Sequence, residues 1–298
     1  MLGAFLTTIF FSLSAIFARR SIAAVGAAHA NLGRLALALV CLGAYAHGFG
    51  QGFQGAGRNW FLLSGVIGMG LGDLALFAAL PRLGSRLTLL MTQCLAAPVA
   101  MLTERLWLGT TLAMAQILAG FVILAGVAAA LLPSRQNPPR VPLRATGFVF
   151  GLLSALGQGL GAVTTRKANA LASLAGEPID GITAAYQRIA GGLVVTLFFF
   201  GARALLVRSA PPQAGPPRPF RAWGWIPLNA LSGPVLGVSC YQWALATTPS
   251  GLVLPIVACT PLVIIPLSYW IEGERPTRRS VFGGAVAVTG CVALTLVR

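Results

Sequence analysis

A few polar and charged side chains interrupt stretches otherwise made of Leu, Ala, Val, Gly and Phe, and their types suit the binding of a small molecule. Thr88, Thr92 and Gln93 fall in one such stretch and Ser239, Tyr241, Gln242 and Trp243 in another, with Ser12 and Gln158 in two more. In a helix Thr88 and Thr92 share a face at i, i+4, and Ser239 and Gln242 share one at i, i+3. Their hydroxyls and amides could hydrogen-bond the polar groups of a small molecule while Tyr241 and Trp243 contact its remainder. The competing use is plain interhelical hydrogen bonding. Three charges lie as deep. Asp73 follows Gly70-Leu-Gly72 and could accept a substrate ammonium, carry a coupling proton, or pair with an arginine or cap a glycine kink. Arg34 and Arg188 carry the planar fork that grips a carboxylate or latches backbone carbonyls; the bland reading is snorkelling to headgroups.

Bond-making chemistry is poorly provided for. A membrane enzyme needs a nucleophile, a metal set or paired carboxylates, yet the two histidines, His29 and His47, stand near the ends of apolar stretches. Cys41, Cys94, Cys240, Cys259 and Cys291 show no metal-ligand spacing and read as small apolar residues. The expectation is no enzyme, no metal and no cofactor.

The elements that must position these residues are membrane helices. Of 298 residues 56% are hydrophobic and 9% charged, where a soluble domain carries roughly 25% charged residues. The apolar blocks match the ~20 residues needed to cross the hydrocarbon layer. They predict helices at 2–18, 30–47, 60–80, 86–104, 110–132, 145–165, 181–201, 224–245, 250–271 and 280–297. The first block is not a secretory signal, because Arg19 and Arg20 follow rather than precede it. Proline-rich stretches at 133–142 and 211–219 punctuate the chain, the first almost at its centre.

The two sides of that centre repeat. Gly109, Gly120 and Gly126 recur as Gly273, Gly284 and Gly290 at a constant offset of 164. Arg34-Leu-Ala36-Leu-Ala-Leu39-Val40 recurs as Arg188-Ile-Ala190-Gly-Gly-Leu193-Val194, and Arg19-Arg20 as Arg166-Lys167. This predicts an all-α integral membrane protein of ten helices in two five-helix repeats, 1–132 and 145–298, joined by a Pro/Arg linker at 133–144. An odd number of helices per repeat makes the second copy inverted, which places Arg34 and Arg188 towards opposite faces. The net charge of +15 bears on topology rather than nucleic acid, because the basic residues are spread between the apolar blocks instead of forming one face. Fourteen lie after helices 1, 3, 5, 7 and 9 and five on the other side, so the linker is expected in the cytoplasm and both termini outside. Arg166-Lys167 is the part of that count that disagrees. Pro98 and Pro261, nearly equivalent in the repeat, are expected to kink their helices as hinges. The series Gly68, Gly70, Gly72 and Gly157, Gly159, Gly161 are expected to serve close helix packing.

Two five-helix halves, an Arg early in the second helix of each, and the turn Glu272-Gly273-Glu274-Arg275 resemble the EamA-type transporters of the drug/metabolite transporter superfamily. The first half departs from that pattern: Leu108-Gly109-Thr110 stands where the family has Leu-Gly-Glu, and the acid, Glu104, comes six residues earlier. The resemblance implies alternating access through a central cavity and export of amino acids or related metabolites. It also implies a monomer in a bacterial-type inner membrane, whose partners are its small-molecule substrate and lipid. Proton-coupled efflux of cationic lipophiles is the alternative. The related four-helix exporters use a glutamate in their first helix, which helices 1 and 6 here lack.

Overall fold

The computed structural model describes residues 1–25, 27–132, 143–206, 224–272 and 277–297, and every regular element among them is helical. In order these are α1 (Leu2–Val25), α2 (Ala27–Gly48), α3 (Arg58–Gly65), α4 (Asp73–Leu108), α5 (Met114–Leu131), α6 (Ala145–Leu174), α7 (Gly181–Leu206), α8 (Trp225–Ala230), α9 (Val238–Thr247), α10 (Ser250–Val257), α11 (Thr260–Glu272) and α12 (Arg278–Leu296). Most of linker 133–144, the proline-rich 211–219, and Gly273, Glu274 and Arg275 of the turn lie outside the described residues, as do Arg135, Arg140, Arg208, Arg218, Arg221 and Arg298.

Among the described residues eight helical spans are long and apolar enough to cross a membrane: Leu2–Val25, Arg58–Ser85, Leu87–Leu108, Met114–Leu131, Ala145–Leu174, Gly181–Ala202, Ser250–Leu267 and Arg278–Leu296. The expected spans 30–47 and 224–245 are helical but are not among the eight. His29, Asn31, Arg34 and His47 dilute the first, and the second is broken in register. That break is a π-helical segment, Leu231–Gly237, between α8 and α9. A second, Val66–Gly72, joins α3 to α4 and starts 165 positions earlier. Both contain glycines, and such bulges gather at functional sites. Inside α4 Gly84 stands at φ 76°, ψ 162°, a backbone open to glycine, so α4 is two helices meeting at a tight turn.

Two loop assignments are corrected. Arg19 and Arg20 lie within α1, which runs on to Val25, and Arg166 and Lys167 lie within α6, which runs to Leu174. Alanine-rich continuations beyond the apolar blocks carry both helices past their expected ends. The prolines also behave unequally. Pro98 lies inside α4, whereas Pro261 is the second residue of α11, where its missing N–H costs no intrahelical bond. The discontinuity there precedes the proline, at Ala258 and Cys259.

Packing runs mainly between the halves. The dominant pairs are α4 with α6, α5 with α12, α3 and α2 with α7, and α1 with the segments from α8 to α11. The expected small-residue contacts are present: a Cβ on Gly157 would come within 2.6 Å of the Gly72 backbone, and one on Gly161 within 3.0 Å of Gly68. Gly126 on α5 and Gly283 on α12 meet in the same way. The bundle has two ends. The Gly84 turn and the start of α6 meet at one, where Arg144 donates its N–H to the Arg82 carbonyl at 3.2 Å. The start of α5 and the end of α12 meet at the other, where the Gln116 amide donates to the Val297 carbonyl at 3.3 Å. These are the linker end and the termini end.

Candidate substrate cavity

The close approach of the Val66–Gly72 segment to α6 puts Gln158 where its amide donates to the Asp73 carboxylate at 3.1 Å and to the Gly68 carbonyl at 3.3 Å. One turn deeper, Ser64 donates to the Gly161 carbonyl at 2.7 Å, which its hydroxyl can reach because Gly161 carries no side chain. Arg188, 2% exposed, crosses from α7 into this junction. It donates to Ser64 Oγ at 2.6 Å, Thr165 Oγ1 at 3.0 Å and the Gly161 carbonyl at 3.3 Å. Its guanidinium carbon lies 5.5 Å from the centre of the Tyr241 ring, close enough for a cation–π contact. The snorkelling alternative is therefore replaced by a buried cation with neutral acceptors. Arg34 donates from Nε to Asn31 Oδ1 at 2.9 Å.

These groups border one cavity of about 270 Å³. Arg34, Asp73, Thr92, Gln93, Gln158, Arg188 and Tyr241 from the expected set line it, with Phe11, Ser14, Phe77, Leu89 and Val257 among the additions. Its walls come from both halves. Most of its lining, from Ser14 and Ala18 of α1 to the first turns after Gly84 and the Gly233–Pro234 step, belongs to the linker half of the bundle.

The remaining expected residues lie elsewhere. Ser12 bonds the Thr8 and Thr260 carbonyls at 2.6 and 3.0 Å. Ser239 and Trp243 line a separate surface groove with Tyr45 and Asp180, and Trp243 is 45% exposed. Thr88 and Gln242 are fully buried and border neither opening. Gln242 projects about 100° round α9 from Tyr241, and only Tyr241 of the two lines the cavity. Both amide atoms of Gln242 lack a protein partner among the described residues, and an unpaired buried amide costs about 1–3 kcal/mol. Gln242→Leu is accordingly expected to raise the thermal midpoint of the purified protein by a few degrees, about 2–4 °C per kcal/mol in a chain of this size; an unchanged or lower midpoint would show that the amide is satisfied. Gln158→Leu should act oppositely. Losing a donor to a carboxylate costs about 1.5–3 kcal/mol, read as a lower midpoint in the same assay.

The sequence reading missed the closure at the termini end. Glu104, 2% exposed, receives Arg166 Nε at 3.0 Å, the Ser250 backbone N–H at 2.7 Å, the Ser250 hydroxyl, and Thr110 at 3.3 Å. Arg166 also donates to the Leu245 carbonyl at 2.8 Å. Around this cluster Gln187 bonds the Gly52 and Gln54 carbonyls at 2.8 and 3.0 Å, Gln51 the Pro178 carbonyl at 3.1 Å, and His47 the Tyr186 hydroxyl at 3.1 Å. All of these except Thr110 to Glu104 and Arg166 to Leu245 tie one half to the other. The available signal was the coincidence of two anomalies, a displaced acid at Glu104 and a misplaced cation at Arg166. Paired, the Arg166 charge no longer counts against the expected topology.

The model of the EamA-like transporter family matches residues 145–296, just over half of the chain. The chain belongs to the EamA-like transporter family. It is a multi-pass integral membrane protein and a transporter of the drug/metabolite kind, a family of transporters rather than enzymes. A solved crystal structure shares the EamA-like chain's fold at a TM-score of 0.73 with 18% identity, covering 99% of this chain and 96% of that one. No curated protein matches.

Proposed function

We propose that the protein exports small metabolites, amino acids foremost, by alternating access through the central cavity. The observation that carries this reading is the asymmetry of the bundle: a polar, charged cavity towards the linker end, and a latched, hydrogen-bonded termini end. Such an arrangement suits a resting state open to one side. The 165-residue spacing of the two π-helical segments supports a ten-helix chain built of repeats 1–132 and 145–298 in inverted orientation. In such folds the site lies at the repeat interface and near-equivalent packings exchange roles. The linker 133–144 then faces the cytoplasm of a bacterial-type inner membrane, and the protein works as a monomer. Pro98 and the break before Pro261 are the proposed hinges.

Uptake into proteoliposomes, with and without a pH gradient, across amino acids and quaternary cations, tests the reading. Transport of amino acids without a pH gradient is expected; transport of cations alone would overturn it. Tyr241→Ala removes an aromatic wall and the face under Arg188, and should lower amino-acid uptake about tenfold or more, since losing ~1.4 kcal/mol of binding is a factor of ten. Unchanged uptake would take α9 out of the site. Impermeant labelling of a cysteine added before Met1 tests the orientation.

A further inference from the structure

The charges around the cavity do not balance. The chain has six acidic residues, and Asp73 alone of the described ones lines the cavity. Glu104 is consumed by Arg166 and Ser250 at the termini end. Asp180 caps α7 through the Ile182 and Thr183 N–H groups, both at 2.9 Å, and Glu177 accepts from the Ala56 N–H at 3.1 Å. Against the one carboxylate stand two guanidinium groups, Arg34 and Arg188, whose hydrogen-bond acceptors among the described residues are all neutral. Both arginines interact electrostatically with Asp73, yet no ion pair joins them to it among the described residues. The three charges therefore stand apart around open space, two positive and one negative, in walls that are otherwise mainly apolar.

Resting on the transporter reading, we propose that the substrate carries one net negative charge and is a dicarboxylic amino acid. Its ammonium faces Asp73, and its two carboxylates face Arg34 and Arg188. Bound in this way it makes the enclosed set neutral, which matters because a charge closed off in a low-dielectric interior without a partner is costly. A neutral amino acid leaves one cation uncompensated when the cavity closes, and a cationic substrate leaves two. Arg34 is the freer of the two guanidiniums, since Arg188 is already held by Ser64, Thr165 and Gly161. It is the group that reads the second carboxylate.

Net uptake of L-glutamate and L-aspartate is compared with that of L-glutamine, L-lysine and succinate in proteoliposomes holding the full-length protein, with a potassium diffusion potential set by valinomycin. Glutamate is expected to exceed glutamine by about tenfold or more, the effect of ~1.4 kcal/mol. Its accumulation should follow the potential by about fiftyfold per 100 mV, which is the ~2.3 kcal/mol of one moving charge, whereas that of glutamine should not respond. Arg34→Gln should bring the glutamate-to-glutamine ratio towards one, and Arg34→Lys should keep it within about threefold of the starting protein. Asp73→Asn should narrow the advantage of glutamate over succinate, which has no ammonium. Glutamine carried as well as glutamate would overturn the charge inference and leave amino-acid transport standing. Succinate carried as well as glutamate would overturn the role of Asp73. Transport of none of the amino acids would sink the proposed function itself.

Discussion

Glu104→Ala is expected to destabilise the protein by about 3 kcal/mol and to unlock its termini end. The carboxylate is 2% exposed and satisfies groups on two other helices and in the loop after its own: Arg166 of α6, the Ser250 backbone and hydroxyl at the start of α10, and Thr110 beyond the end of α4. Removing it leaves the Ser250 N–H without its acceptor and Arg166 with carbonyls alone. Breaking a buried ion pair costs about 3–5 kcal/mol. Arg166 keeps 21% of its surface exposed, so water recovers part of the loss and the lower end applies. Because the bonds to Arg166 and Ser250 join the two halves, the same free energy biases the conformational equilibrium, about a hundredfold for ~3 kcal/mol. Thermal unfolding in detergent measures the first effect. For the second, Asn169→Cys, in the opening beside Arg166, should be labelled faster by an impermeant thiol reagent when Glu104 is gone. Glu104→Gln keeps an acceptor for Ser250 and should lose less on both counts. An unchanged midpoint together with unchanged labelling would dismiss the latch.

Gly65→Ala should do comparable damage through backbone alone. A Cβ at Gly65 would fall on the carbonyl oxygen of Arg188 and within 2.9 Å of the Gly192 nitrogen. Neither atom can rotate away, so α3 and α7 must part. Overpacking of this kind costs typically 1–3 kcal/mol and occasionally more, and rigid backbone on the far side places Gly65 at about 3 kcal/mol. The separation also draws Arg188 away from Ser64, so transport should fall further than stability. Gly284→Ala is the control. Nothing among the described residues lies within 4 Å of its Cβ position in α12, and exchanging glycine for alanine inside a helix should stabilise it by about 0.8–1 kcal/mol. Thermal midpoints of the two variants should therefore move in opposite directions. Equal midpoints would mean that the close contact at Gly65 yields more easily than its backbone geometry implies.

Much of the scaffold was legible because hydrocarbon leaves the chain few options. A block of about 20 apolar residues must satisfy its own backbone, and a helix does so; all ten expected blocks are helical, though two fall outside the eight clear spans. The glycine series were equally readable, since small residues four apart on one face serve only close approach, and Gly68, Gly72, Gly157 and Gly161 meet as expected. The π-helical segments were not, because a single extra residue in a turn leaves no mark in composition. Within the site, residue type carried Arg188, Asp73, Gln158 and Tyr241 into the cavity. The same reasoning carried in Ser239, Gln242 and Trp243, which belong elsewhere.

By itself the sequence determined that this is a helical membrane protein with a duplicated pattern and a few polar groups too costly to be idle. Only the tertiary structure decided which of those groups face one another. It set Arg34, Asp73, Gln158 and Arg188, from separate helices of both halves, around one space, and it joined Glu104 to Arg166. The reason is rotational: a helix that meets lipid on one side and apolar neighbours on the other is hydrophobic all round, so its sequence holds no stripe to mark the inward face. That face is chosen by packing against helices far away in the chain.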